Sequence, residues 1–187
     1  MPPIIRITKE NIVRTAVEIV RNDGAGALNA RSLAAKLNCS TQPVFSNFAT
    51  MEDLKKAVID AANDVYRGFT EREVASGRYP EYKASGMAYI RFAKEEKELF
   101  KLLFMRDRSD ENEAEKSGFA ADISKMVQSS TGFSYDKARL FHLEMWAYVH
   151  GIAVMMATDY LELDFELISE MLTDAYRGIR KRYEEKE

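Results

Sequence analysis

The chain has 187 residues, 46% hydrophobic and 30% charged, with a net charge of −3, enough apolar material to bury a core in one domain or in a small domain fused to a larger one. Its single cysteine, Cys39, excludes an internal disulfide and a cysteine metal cluster, and points to a reducing cytoplasm. Met1 to Arg6 is too short for a secretory signal, and no run of eighteen apolar residues is expected to span a membrane.

Four prolines and nine glycines leave long stretches rich in Ala, Leu, Met, Glu, Lys and Arg. None alternates with a period of two, so an all-α chain is expected. Thr8 is placed to cap a first helix with Ile12, Val13, Ala16, Val17, Ile19 and Val20 on its apolar face, and Gly24 and Gly26 are placed to stop it. Next comes Asn29 to Phe48. Leu33, Ala34 and Leu37 form a one-turn stripe behind an Asn29 N-cap, and Asn38 can take the left-handed conformation that a tight turn needs. Ser40 or Thr41 can cap a second short helix that has Pro43 in its first turn, where a missing N–H costs little. Ala34 is expected to face Val44, with Cys39 filling the turn, which gives a helix-turn-helix. A long helix then runs from about Met51 to Gly77, with Leu54, Val58, Ala61, Val65 and Phe69 as its stripe, leaving a small domain (residues 1–50) for a large one (51–187). A rigid helix shared in this way could carry a change of angle between them.

Pro80 restarts the chain in a fifth helix to about Lys94, and a sixth holds Leu99, Phe100, Leu102, Leu103, Phe104 and Met105. Arg106 to Lys116 reads as an exposed connection, and a seventh helix from about Glu113 to Ser129 closes at Thr131-Gly132-Phe133. Ser134 caps an eighth helix through Leu140, Leu143, Met145, Ala147, His150, Gly151 and Val154. A last helix is striped by Phe165, Ile168, Leu172, Ala175 and Ile179. These two helices carry more apolar surface than one small core uses, as an interface would, the alternative being that they simply pack on each other as monomer core.

In a helix-turn-helix the second helix enters the major groove, and here its outer face is Thr41, Gln42, Ser46 and Asn47. Amide side chains can bridge adenine N6 and N7, while hydroxyls hold phosphate oxygens. Any small helical domain can show the same stripe and polar face. Charge distribution adds direction: residues 1–50 carry six basic side chains, Arg31 among them, against three acidic ones, on a chain whose total is −3. A basic lobe on an acidic body would turn one side to phosphate.

From Ile12 to Val58 the chain resembles the amino-terminal domain of the TetR family of transcriptional regulators. The stretch Ile12 to Gly24 is similar to that family's first helix and its stop. Phe45-Ser46-Asn47-Phe48 resembles the close of its recognition helix, and Thr50-Met51-Glu52-Asp53-Leu54 the capped start of its fourth. The chain departs from the pattern with Phe45 where Tyr is common, Asn38 where Gly is common, and Met51 where a phosphate-binding Lys is common. Lys55 or Lys56, one turn on, can replace that charge. Downstream, Trp146-Ala147-Tyr148-Val149-His150-Gly151 is similar to a Trp…His-Gly signature in the ligand-binding domain of one TetR subgroup.

The resemblance implies a three-helix DNA-binding domain followed by a helical ligand-binding and dimerisation domain. It also implies a homodimer through the last two helices, double-stranded operator DNA as partner, and a small hydrophobic effector that releases a repressor from a palindrome. DNA contacts are then expected from Arg31, Ser40, Thr41, Gln42, Pro43, Phe45, Ser46, Asn47 and Lys55. Aromatic and Met side chains of the middle helices, Tyr66, Phe69, Met87, Phe100, Phe104, Met126, Trp146 and His150, are candidate effector contacts, although such groups also fill ordinary cores. Catalysis fails on inventory: His142 and His150 are the two histidines, no phosphate loop or metal spacing occurs, and no cofactor is expected. The competing reading is a helical ligand-binding or protein-interaction module without specific DNA binding.

Overall fold

A computed structural model describes residues 7–107, 109 and 125–185. Among these residues the secondary structure is helical, without strands: α1 (Lys9–Asp23), α2 (Ala30–Lys36), α3 (Gln42–Asn47), α4 (Met51–Ala75), α5 (Glu81–Glu95), α6 (Lys97–Phe104), α7 (described over 125–131), α8 (Tyr135–Ala157) and α9 (Phe165–Glu184). The expected all-α class is what the chain adopts. The Arg106 to Lys116 connection and the start of the seventh helix lie largely outside the described residues.

The chain divides into two compact units, Met1–Arg67 with Glu96–Arg106, and Gly68–Glu95 with Asp107–Glu187. α4 passes from the first into the second at Arg67 and Gly68.

In the first unit, α1 begins where the Thr8 side chain accepts from the Asn11 N–H and ends at Gly24, whose φ of 81° needs glycine. Gly26 lies inside a short 3-10 turn, Ala25–Ala27, rather than stopping the helix. Ile12, Ala16, Ile19 and Val20 are buried together with Leu33, Ala34, Val44, Phe48, Leu54, Val58, Leu99 and Phe100. Full burial of one such aliphatic side chain contributes about 1.5–3 kcal/mol. α6 packs on α1, and the Arg21 guanidinium meets Glu96 at 2.7 Å. Along α4 the buried positions are Leu54, Val58, Ala62, Tyr66 and Phe69, not Ala61 and Val65. Both sets keep the same average helical spacing, so what α4 packs against decides between them.

In the second unit α5 is the central element. Ala84, Ser85, Met87, Ala88, Tyr89, Ile90, Phe92 and Ala93 are all buried, because α8 and α9 both pack against it. Tyr82 meets His142 and Tyr89 meets His150, so α5 and α8 run in the same direction. Beside them Val127, Phe133, Ala138, Phe141, Met145 and Tyr183 form one apolar cluster. α8 is long and apolar enough to cross a membrane by length and composition alone, which the sequence reading did not expect. Its apolar residues lie on two sides: Phe141, Met145, Val149 and Ile152 face inward, while Leu140, Leu143 and Trp146 are exposed.

α2 has only seven residues, so its capping weighs heavily. Asn29 Oδ1 accepts from the N–H groups of Arg31 and Ser32, each at 3.0 Å, and Ser32 Oγ accepts from the Asn29 N–H at 3.1 Å. Loss of such a cap costs about 1 kcal/mol. Asn29→Ala is therefore expected to lower the unfolding free energy by that amount, read as a lower urea midpoint at an unchanged m-value; an unshifted midpoint would remove the cap from the stability of α2.

Candidate functional site

The α2 to α3 turn follows from its backbone bonds. Leu37 closes α2 with its N–H on the Leu33 carbonyl at 2.9 Å, and Cys39 N–H reaches back to the Ala34 carbonyl at 2.9 Å. Between them Asn38 sits at φ 52°, the left-handed region in which Asn is second only to Gly. Thr41 occupies the N-cap of α3, but in a helical conformation and without a side-chain capping bond. The capping role expected of Ser40 or Thr41 is thus not taken by Thr41's hydroxyl; Pro43 in the first turn starts the helix instead. Val44 is fully buried and fixes which side of α3 faces out. Phe48, just past the helix, is buried with the Lys9 ammonium 5.0 Å from its ring centroid.

On that outer side Ser40, Gln42 and Ser46 are exposed and Phe45 is 50% exposed, while Thr41, Pro43 and Asn47 are half-buried. Two of the polar tips turn back onto the helix. Ser46 Oγ donates to the Gln42 carbonyl at 3.0 Å, and Asn47 Nδ2 donates to the Pro43 carbonyl at 2.8 Å. Gln42, which is exposed, makes no such side-chain bond among the described residues. Arg31 is exposed at the start of α2. Thr50 and Asp53 cap α4 reciprocally: the Thr50 N–H donates to Asp53 Oδ2 at 3.0 Å and the Asp53 N–H to Thr50 Oγ1 at 3.1 Å. One turn in, Lys55 pairs with Glu52 at 3.3 Å, both largely exposed, a contact weak enough for a phosphate to displace.

The residues expected around an effector fall in both units. Tyr66, Phe100 and Phe104 belong to the first, where Phe104 meets Tyr66 edge-on with ring centroids 5.4 Å apart and Phe100 at a tilt with centroids 5.3 Å apart. Phe69, Met87, Met126, Trp146 and His150 belong to the second. There Phe69 meets Phe92 edge-on at 5.4 Å, Met87 is fully buried and Met126 is half-buried. Trp146 lies flat on the His150 ring at 4.8 Å, and His150 Nδ1 shares a hydrogen bond of 2.8 Å with the Tyr89 hydroxyl. A matching pair that sequence reasoning missed joins His142 Nδ1 to the Tyr82 hydroxyl at 3.1 Å. Tyr82 and Tyr89 are one heptad apart, the available signal, but only the shared direction of α5 and α8 reveals it. No group of metal-ligating side chains occurs among the described residues.

Burial pushes both histidines below the ordinary imidazole value and pushes the Tyr82 phenol up, so the neutral rings belong to the fold. Because each pKa is depressed in the folded chain, the unfolded chain takes up protons first on acidification. This contribution to stability is present above about pH 6.5, the value for an unperturbed ring, and is lost as pH falls through the folded values. The native chain is expected to lose more stability between pH 7.5 and pH 5 than a His142→Gln/His150→Gln variant. Urea midpoints at the two pH values check this, and parallel losses would remove the rings from the effect.

Residues 82–176, just over half of the chain, match the family described as tetracyclin repressor-like, C-terminal domain. No curated protein matches the chain. The match begins at the first Tyr of the Tyr–His pairs and takes in α5, α6, α8 and most of α9. Together with an all-α fold that carries a short turn-linked helix pair near its N-terminal end, it shows that the chain belongs to the tetracycline repressor-like, or TetR, family of ligand-responsive transcriptional regulators.

Proposed function

We propose that the chain is a cytoplasmic DNA-binding repressor that works as a homodimer and is released from a palindromic operator by a small hydrophobic effector. The observation that carries this reading is the outer side of α3, with Gln42 and Phe45 exposed on a proline-started helix whose opposite side is pinned by buried Val44. Residues 1–50 would supply the DNA-binding part and 51–187 the effector and dimer part. Arg31 and Lys55 flank the pair as phosphate contacts, joined by the hydroxyls of Ser40 and Thr41.

The dimer is proposed through α8 and α9. Leu143 is 56% exposed, and Leu140, Ala147 and Gly151 share its side of α8; Leu167 and Gly178 are exposed on α9. A Cβ built on Gly151 or Gly178 meets nothing within 4 Å, so within one chain neither position needs glycine for space. A close partner helix is what would use that room. Two copies set their reading helices about 34 to 36 Å apart, the spacing of successive major grooves on one side of DNA.

For the effector, Phe69, Met87, Met126 and Trp146 supply apolar and aromatic surface in the second unit, and the His150–Tyr89 pair supplies a polar handle. Effector binding would favour a dimer shape with its reading helices wrongly spaced, with α4 as the element whose angle changes.

A second reading, a helical module without specific DNA binding, is favoured by one observation: the side-chain donors of Ser46 and Asn47 turn back onto their own helix. Gel-shift titration against the promoter next to the chain's own gene separates the two. The regulator is expected to bind a pseudopalindrome tightly and with a steep salt slope; weak, sequence-blind binding would favour the module. Gln42→Ala should relax base preference at one position of each half-site by about 1–3 kcal/mol. Gly151→Phe should give a folded monomer in sedimentation, and an intact dimer would place the interface elsewhere.

A further inference from the structure

The chemistry left exposed on α3 narrows what it can read, given the proposal above that it lies in the major groove. Guanine O6 and N7 are read by Arg or Lys, and cytosine N4 by a carboxylate. The α3 sequence, Gln42-Pro43-Val44-Phe45-Ser46-Asn47, contains none of these side chains. Asn47 could bridge an adenine only with its amide fork turned outward, whereas its Nδ2 is held on the Pro43 carbonyl at 2.8 Å and the residue is half-buried. Ser46 directs its hydroxyl proton to the Gln42 carbonyl at 3.0 Å. Ser46 keeps only single acceptor lone pairs for a base, so two exposed side chains remain with a bidentate fork or a broad apolar surface to offer: the carboxamide of Gln42 and the half-exposed ring of Phe45. They stand three residues apart, which puts them side by side on one helical face, about 5–6 Å between Cβ atoms.

We infer that α3 is a reader of A·T pairs, in which the Gln42 carboxamide bridges adenine N6 and N7 while the Phe45 ring packs on the C5 methyl of a thymine in the neighbouring pair. The ring and the methyl group are each the apolar surface the other lacks in water, and thymine is the one base that presents such a group in the major groove. A Tyr at position 45 would put a hydroxyl at the ring edge that faces this methyl. Phe45 leaves that edge wholly apolar, so the substitution alters what is read and does not simply delete a contact.

The test uses the full chain and a pool of randomised duplex DNA, from which bound sequences are enriched. On the best site each thymine is then replaced in turn by deoxyuridine, which removes only the C5 methyl, and Kd is measured at fixed salt. One thymine per half-site is expected to weaken binding about fourfold when so replaced, the value of one buried methyl-sized group, and the loss should vanish in the Phe45→Ala chain. Val44 rather than Phe45 anchors the helix, so this variant is expected to keep its unfolding midpoint; the deoxyuridine series on the native chain decides the matter in any case. Equal Kd for every deoxyuridine duplex, or G·C pairs at the positions facing α3, would overturn the inference while leaving a sequence-specific regulator in place. Failure to enrich any sequence would instead overturn the regulator reading, and this inference with it.

Discussion

A helix of six residues cannot hold itself together in water, because the bonds it makes do not offset the ordering of its first turn. α3 therefore exists only through its surroundings: the left-handed turn at Asn38 aims it, and the burial of Val44 holds it down. Every proposed DNA contact on that helix inherits its position from these two features. Asn at φ 52° is a compromise, since glycine would adopt that conformation without a Cβ penalty. The Cys39 N–H on the Ala34 carbonyl is the bond that locks the turn once it has formed.

The second unit solves a different problem. α5 is buried nearly all round by α8 and α9, yet it carries Tyr82, Lys83, Tyr89 and Arg91. Polar atoms in such a place must find partners or weaken the fold. Each does: the phenols on the two histidines of α8, Lys83 on Thr173 at 2.7 Å, and Arg91 on Glu73 at 3.1 Å. Such pairings fix which residue of α5 lies beside which residue of α8, a register that apolar packing alone leaves loose.

Local signals were legible in the sequence and distant ones were not. The caps at Thr8, Asn29 and Ser134, the turn residue Asn38 and the helix-starting Pro43 act within three or four residues, and each was read correctly. Asp164, which caps α9 by accepting from the Leu167 N–H at 2.8 Å, was equally local and was overlooked. So was the habit of Ser and Asn of bonding the carbonyl four residues back, which turns a side-chain donor of Ser46 and of Asn47 onto the backbone of α3 itself. The switch from Ala61 and Val65 to Ala62 and Tyr66 depends on what α4 packs against, and no periodicity within α4 decides between neighbouring residues of similar character. The pairing of α6 with α1 and the two Tyr–His bonds join residues 60 or more apart, which a single sequence does not encode visibly.

Arg91 of α5 turns its two sides to two different helices. Its Nε meets Glu73 near the end of α4, while its guanidinium plane lies 4.1 Å from the Phe165 ring centroid at the start of α9. One planar group thus clasps three helices like a rivet through overlapping plates. Sliding α9 lengthwise would strip the ring from the cation and leave the Glu73 carboxylate, mostly shielded from water, with a displaced partner. One side chain thus ties the lengthwise position of α9 to the far end of α4.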